Sequence, residues 1–210
     1  MIRHHYLKYC FFFIILISTQ SYSHPHSFMT LKTAFYVSQN QLTKIQFTWA
    51  MDELTSSYLK LEYEQHPQQT FDDLMNNIEE NHLFSQFTLN TSDQPIPIAL
   101  TAEKSSAILN FDHNKGMLTF WATLAKPIAI SGQEFELVTY EKTFYVDMYY
   151  EQDQDATINN NSCQIMLDKP TPDDATLSYA QALDTDDTPA ESDDFILGKL
   201  FAQKVVISCQ

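Results

Sequence analysis

The sequence predicts an α+β fold, a mostly antiparallel, sandwich-like β-sheet structure with one inserted helix pair. Two observations predict it. Period-2 alternation of apolar and polar residues runs through most of the chain. It is interrupted once, over about residues 52–82, by apolar residues at helical spacing. Strands grouped around a block of helices give α+β, not alternating βαβ.

The elements follow in order. Met29, Leu31, Phe35 and Val37 alternate with Thr30, Lys32 and Tyr36. Ile45, Phe47, Trp49 and Met51 alternate with Lys44, Gln46 and Thr48. The turn at 38–41 makes these two runs a hairpin. Asp52 reads as the N-cap of a helix over 53–63, with Leu54, Tyr58 and Leu61 on one face. Thr70 and Asp73 read as a capping box ahead of Phe71, Leu74, Met75 and Ile78. A second hairpin joins Leu109 and Phe111 to Leu118, Phe120, Ala122 and Leu124 through the turn at 112–116. Phe135 and Leu137 start the next strand. Phe144, Val146, Met148 and Tyr150 form another, with Tyr145, Asp147 and Tyr149 on its other face. Ile165 and Leu167 share a strand with Cys163, and Val205 and Ile207 lead to Cys209.

This divides the chain into a leader (1–23), a β-rich domain (24–168), an acidic excursion (169–196) and a C-terminal helix and strand (197–210) that complete the same domain. The excursion holds Asp173, Asp174, Asp184, Asp186, Asp187, Glu191, Asp193 and Asp194, against Lys169 alone. A solvated surface segment is its expected nature, with a short helix around 175–183.

The leader has an export pattern. Arg3, His4, His5 and Lys8 precede the apolar run at 9–17, and small polar residues follow. That run is far shorter than the roughly 20 residues a membrane span needs. Ser21 and Ser23 fit the small-residue rule for cleavage after Ser23, which places the mature protein in the periplasm, beginning at His24. Ten basic and 27 acidic side chains remain, a net charge of −17. Cys10 leaves with the leader. Cys163 and Cys209 form an even pair in an oxidising compartment, where a disulfide is the expected state.

Composition excludes several functions. Acidic excess argues against nucleic-acid binding. Three glycines and the absence of GxGxxG or GxxxxGK[ST] argue against nucleotide binding. No GxSxG or HExxH occurs, and pairing Cys163 with Cys209 removes a cysteine nucleophile. A binding protein is therefore expected rather than an enzyme.

The candidate chemistry lies at the mature terminus, His24-Pro25-His26. Pro25 holds His24 toward extended geometry. Residues i and i+2 of an extended chain point to one side, so the two imidazoles project together. A freed α-amine at His24, with its pKa near 7.7–8.0, would add a third nitrogen. Imidazole suits zinc, copper, nickel or iron, so the ligands alone do not name the metal. Asp52, Glu53, Asp147 and Glu141 are candidates for a further ligand. His66, His82 and His113 read as structural or surface residues, His82 as a cation at the end of the second helix.

Five segments then resemble one family in order and spacing: HPHSF (24–28), FTWAMDELTSSYL (47–59), NHLFSQFTLNTSDQPI (81–96), VTYEKTFYVDMYY (138–150) and LGKLFAQKVVISC (197–209). The chain resembles the proteobacterial periplasmic domain-of-unknown-function family 1007 over essentially its whole mature length. The resemblance implies a periplasmic component of a transport system, working with an inner-membrane nickel/cobalt-type permease or in zinc acquisition. It implies His24 and His26 as metal ligands, and Asp52 and Glu53 as a functional or structural pair. An EF-hand-like acidic loop between the helices in similar proteins reads EYEQHPQQ here (62–69), without a calcium pattern. A Tyr-Asp-Pro-Thr segment reads Tyr140-Glu141-Lys142-Thr143.

The expected function is thus a metal-binding accessory for a permease, with zinc first and nickel, cobalt or copper as alternatives. Two other readings stand beside it. One is a copper-brace protein or copper-dependent oxidase. The other is a metal-free envelope interaction module.

Overall fold

Alternation resolves into two sheets sharing one core. A computed structural model describes residues 25–183 and 196–210. The expected leader, its cleavage point, His24 and the acidic residues from Asp184 to Asp194 lie outside the described residues.

The first sheet contains β1 (Ser27–Ser38), β2 (Gln41–Met51), β5 (Leu100–Asp112), β6 (Lys115–Ala129), β8 (Val146–Tyr149) and β9 (Ala156–Ile158). Its order is β5-β6-β2-β1-β8, with β9 also on β1. The second contains β3 (Ser85–Asn90), β4 (Ile96–Pro97), β7 (Glu134–Thr139), β10 (Cys163–Asp168) and β11 (Lys204–Cys209), in the order β10-β11-β7-β3-β4. All pairings are antiparallel except those of β8 and β9, which run parallel to successive parts of β1. The helices are α1 (Glu53–Gln65), α2 (Pro67–Glu80), α3 (Asp174–Ala182) and α4 (Leu197–Phe201).

Both expected hairpins form. Gln39 and Asn40 at one tip have φ of 50° and 57°, and His113 and Asn114 at the other have 45° and 64°. Two left-handed central residues match the twist of the flanking strands. Inward residues of the first sheet, among them Leu31, Phe35, Phe47, Trp49 and Phe120, meet Phe87, Phe135, Leu137 and Ile207 of the second. The Phe35 and Phe87 rings lie 6.1 Å apart. Tyr150 is buried in this core, with its hydroxyl 2.9 Å from Thr33 Oγ1. Burial pushes its pKa up to about 12 against the hydrogen bonds of Thr33 and Thr139.

Three local expectations are corrected. Leu54, Tyr58 and Leu61 do share a face of α1, but it faces solvent. The buried residue is Ser56, whose hydroxyl accepts the Gly116 N–H at 2.7 Å and donates to Met51 O. Helix α2 starts at Pro67, not behind a Thr70 cap, because proline suits the first helical turn and His66 O already accepts the Thr70 N–H. His82 does not cap the helix end. With Leu83 and Phe84 it forms a left-handed turn with φ of 52°, 59° and 47°, held by burial of Leu83.

Cys163 and Cys209 are disulfide-bonded and sit opposite each other in the β10–β11 ladder. In the acidic stretch, α3 is capped by Asp173, and its Ala180 packs with Phe144, Leu183 and Leu197. The expected short helix forms as α3, exposed along most of its length, with Ala180 and Leu183 as its buried contacts. Among the described residues no helix is long and apolar enough to cross a membrane.

Candidate functional site

The head of β1 is fixed from both sides. His26 N–H and Ser27 N–H donate to Tyr145 O at 2.9 and 3.2 Å. Phe28 N–H and Ser27 Oγ donate to Asp52 Oδ2, each at 2.8 Å. Beyond this point the register pairs Ser27 with Val146 and Phe28 with Asp147. Strand alternation puts Phe28 on the outward face of the sheet with Asp147 beside it on β8; His26 lies in the bend just ahead of β1, with its Nε2 buried. The His26 ring lies 4.9 Å from that of Tyr145.

Asp52 has a different task. Its carboxylate also accepts Thr55 N–H at 2.8 Å and Thr55 Oγ1 at 3.1 Å, so it caps α1 while clamping the start of β1. Burial pushes its pKa up, but the bonds from Phe28, Thr55 and Ser27 outweigh that and hold it below the usual aspartate value. Four donors already occupy the carboxylate. Stability from this group is present above the unfolded pKa and is lost as pH falls through the folded one. Asp52→Ala is expected to cost about 2 kcal/mol at neutral pH, shrinking on acidification. Urea unfolding at a series of pH values measures it.

Glu53 lies exposed in the first turn of α1. Glu141 closes a local turn, accepting Thr143 N–H on Oε1 and both Thr143 Oγ1 and Tyr145 N–H on Oε2. That turn carries Tyr145 to the head of β1. Sequence reading names Tyr145 only as a strand residue, because nothing local reveals that its carbonyl receives His26.

Asp147 is the expected carboxylate on the outward face of β8, opposite Phe28. Burial raises its pKa. The folded protein therefore binds this proton more tightly than the unfolded chain does. Stability falls as pH rises from the unfolded value through the raised one, and the charge remains a cost above both. Asp147→Asn is expected to raise the melting temperature by a few degrees at neutral pH, with no difference near about pH 3. Equal melting at both pH values would show that the charge carries no penalty.

Elsewhere, His66 joins α1 to α2, and exposed His113 has Nδ1 2.7 Å from Asp112 Oδ1. Among the described residues no three His, Cys, Asp or Glu side chains gather as a ready-made metal cluster. Near the head of β1 the residue types that a divalent transition ion takes are the imidazole of His26, in the bend ahead of the strand, and the carboxylate of Asp147, opposite Phe28.

Residues 9–209 match the family model described as a protein of unknown function (DUF1007). The chain belongs to the DUF1007 family. It is also similar to an uncharacterized protein of Haemophilus influenzae, at 30% identity over 203 residues covering 93% of this chain and 96% of the relative. The alignment thus covers most of the length of this DUF1007 protein and of its relative. The match includes the head of β1, the α1–α2 pair and both disulfide cysteines.

Proposed function

We propose that this DUF1007 protein is a periplasmic metal-binding accessory that passes a divalent transition ion, zinc first and nickel or cobalt next, to an inner-membrane permease. The observation that carries the reading is the anchored head of β1. Its backbone is tied to Tyr145 and Asp52 from residue 26 onward, and the half-buried carboxylate of Asp147 lies opposite Phe28, two residues on from His26. Cleavage after Ser23 would leave two residues ahead of the tethered backbone of His26, so His24 would reach the ion with little ordering cost.

In this reading the imidazoles of His24 and His26 and the His24 amine hold the ion, and Asp147 faces it. A cation supplies the positive charge that Asp147 lacks, turning an unfavourable buried carboxylate into a favourable one. The acidic surface raises the local cation concentration. The disulfide suits the oxidising periplasm.

The test uses exported protein whose first residue has been fixed by intact mass. Calorimetric titration with Zn²⁺, Ni²⁺ and Cu²⁺ is expected to show one site. The His24→Ala/His26→Ala double variant is expected to lose about 100-fold in affinity and Asp147→Asn about tenfold. Equal binding by wild type and double variant rejects the site. A chain starting after residue 26 rejects it as well.

A further inference from the structure

Helix α1 holds a stripe of large apolar side chains out to solvent. Leu54, Tyr58 and Leu61 are 63, 66 and 54% exposed, and none of them joins an apolar cluster of the core. At about 3.6 residues per turn, Ser56 lies on the side of the helix opposite this stripe. Its buried hydroxyl donates to Met51 O at 3.2 Å and accepts the Gly116 N–H at 2.7 Å. Rolling the stripe inward would break both bonds and strand a buried donor on β6, which is costly. The helix is therefore locked with its stripe outward, and neighbouring apolar side chains held that way mark an interaction surface.

The border of the stripe is acidic. By the same helical spacing Glu53 and Glu64 flank it on one side and Glu62 on the other, all three exposed. Lys60, the one basic residue of α1, has its Nζ 4.0 Å from Glu64 Oε1. The following helix, α2, adds exposed Asp72, Asp73 and Glu80 and no Lys or Arg. Charge decides what covers such a stripe. A second copy would set the same acids against themselves, each chain with a net charge of −15. Anionic lipid headgroups would be repelled in the same way. An amphipathic helix with lysine or arginine beside its apolar face meets both features at once, apolar against apolar and cation against carboxylate. We infer that α1 is the docking surface for a cationic amphipathic helix of another protein. The apolar side chains of that helix lie along Leu54, Tyr58 and Leu61, and its cations meet Glu53, Glu62 and Glu64. The surface shares no residue with the proposed metal site, so each is tested without the other.

The test titrates the exported protein, with EDTA present, into the dye-labelled peptide LKKLLKLLKKLLKL and reads fluorescence anisotropy. This peptide puts leucines on one face of a helix and lysines on the other. Saturable one-to-one binding is expected, with the glutamate counterpart LEELLELLEELLEL about 100-fold weaker or more. Leu54→Gln/Tyr58→Gln/Leu61→Gln keeps every charge and places good helix formers on the exposed face. It is expected to weaken binding of the lysine peptide about 30-fold with an unchanged melting temperature. Glu53→Gln/Glu62→Gln/Glu64→Gln is expected to weaken it about tenfold and to flatten its salt dependence. In proton–nitrogen spectra of the wild-type protein, amides of α1 move with the lysine peptide while those of β10 and β11 stay, a readout that needs no variant. Equal binding by wild type and the first variant means attraction to the acidic surface alone and overturns the inference. It is also overturned if the glutamate peptide binds as well or if the α1 amides do not respond. Dimerisation, or binding to vesicles of phosphatidylethanolamine and phosphatidylglycerol, that the first variant abolishes overturns it too.

Discussion

Replacing Gly198 with alanine is expected to destabilise this protein by about 3 kcal/mol or more, a large fraction of a typical domain's folding stability. Gly198 lies at the start of α4, fully enclosed, with its N–H donating to Lys142 O at 3.0 Å. A Cβ there would stand 1.7 Å from Glu141 O and 2.8 Å from its carbonyl carbon. Both neighbours are backbone atoms, so no rotamer change relieves the clash. Either α4 lifts away or the 141–143 turn moves. That turn holds Tyr145 through Glu141, and Tyr145 O receives His26 and Ser27. Gly198→Ala should therefore also disturb the head of β1, about which no local sequence feature gives warning. Urea unfolding measures the stability. A midpoint within experimental error of wild type would mean that α4 is not seated on the turn.

Loss of the disulfide is expected to be of similar size. Cys163 and Cys209 close a 47-residue loop, which the chain-entropy model values at about 4 kcal/mol. The loop spans β10, α3, α4 and β11, and the bond joins the two strands at their register pair. Without it, β10 is held at the sheet edge by its ladder to β11 and by Ile165 and Leu167 packed on the core, and α3 by a small apolar cluster. The Cys163→Ser/Cys209→Ser variant should show a large drop in unfolding midpoint. It should also show faster amide exchange in β10 than in β1 or β2. Exchange accelerating equally across both sheets would indicate that β10 is not a separable edge.

The two hairpins were legible because alternation and turn residues are local signals. The same signals placed Phe47, Trp49, Leu118 and Phe120 inward. Pairing of β8 and β9 with β1 was not legible, since it joins segments more than 100 residues apart and parallel pairing leaves no hairpin signature. The shared face of Leu54, Tyr58 and Leu61 was legible in α1, but its exposure to solvent was not. Leu54, Tyr58 and Leu61 have the right spacing for a buried stripe, but a hydroxyl at Ser56 fixes the helix rotation through Gly116. Polar anchoring of that kind is invisible to an apolar pattern. At the candidate site, the sequence gives the spacing of His24 and His26 and the outward face of Asp147. It does not give the clamp formed by Asp52 and Tyr145, because both reach β1 from distant elements. Asp52, weighed as a ligand, has its oxygens occupied by the clamp and the α1 cap.

X-ray absorption at the zinc edge of the exported, zinc-loaded protein tests the central proposal most directly. The account predicts a shell of light donors at about 2.0 Å with the outer scattering of imidazole rings. It predicts that this scattering disappears in the His24→Ala/His26→Ala variant loaded in the same way. Imidazole scattering that persists undiminished in the double variant, or that is missing from the wild-type protein, would contradict it.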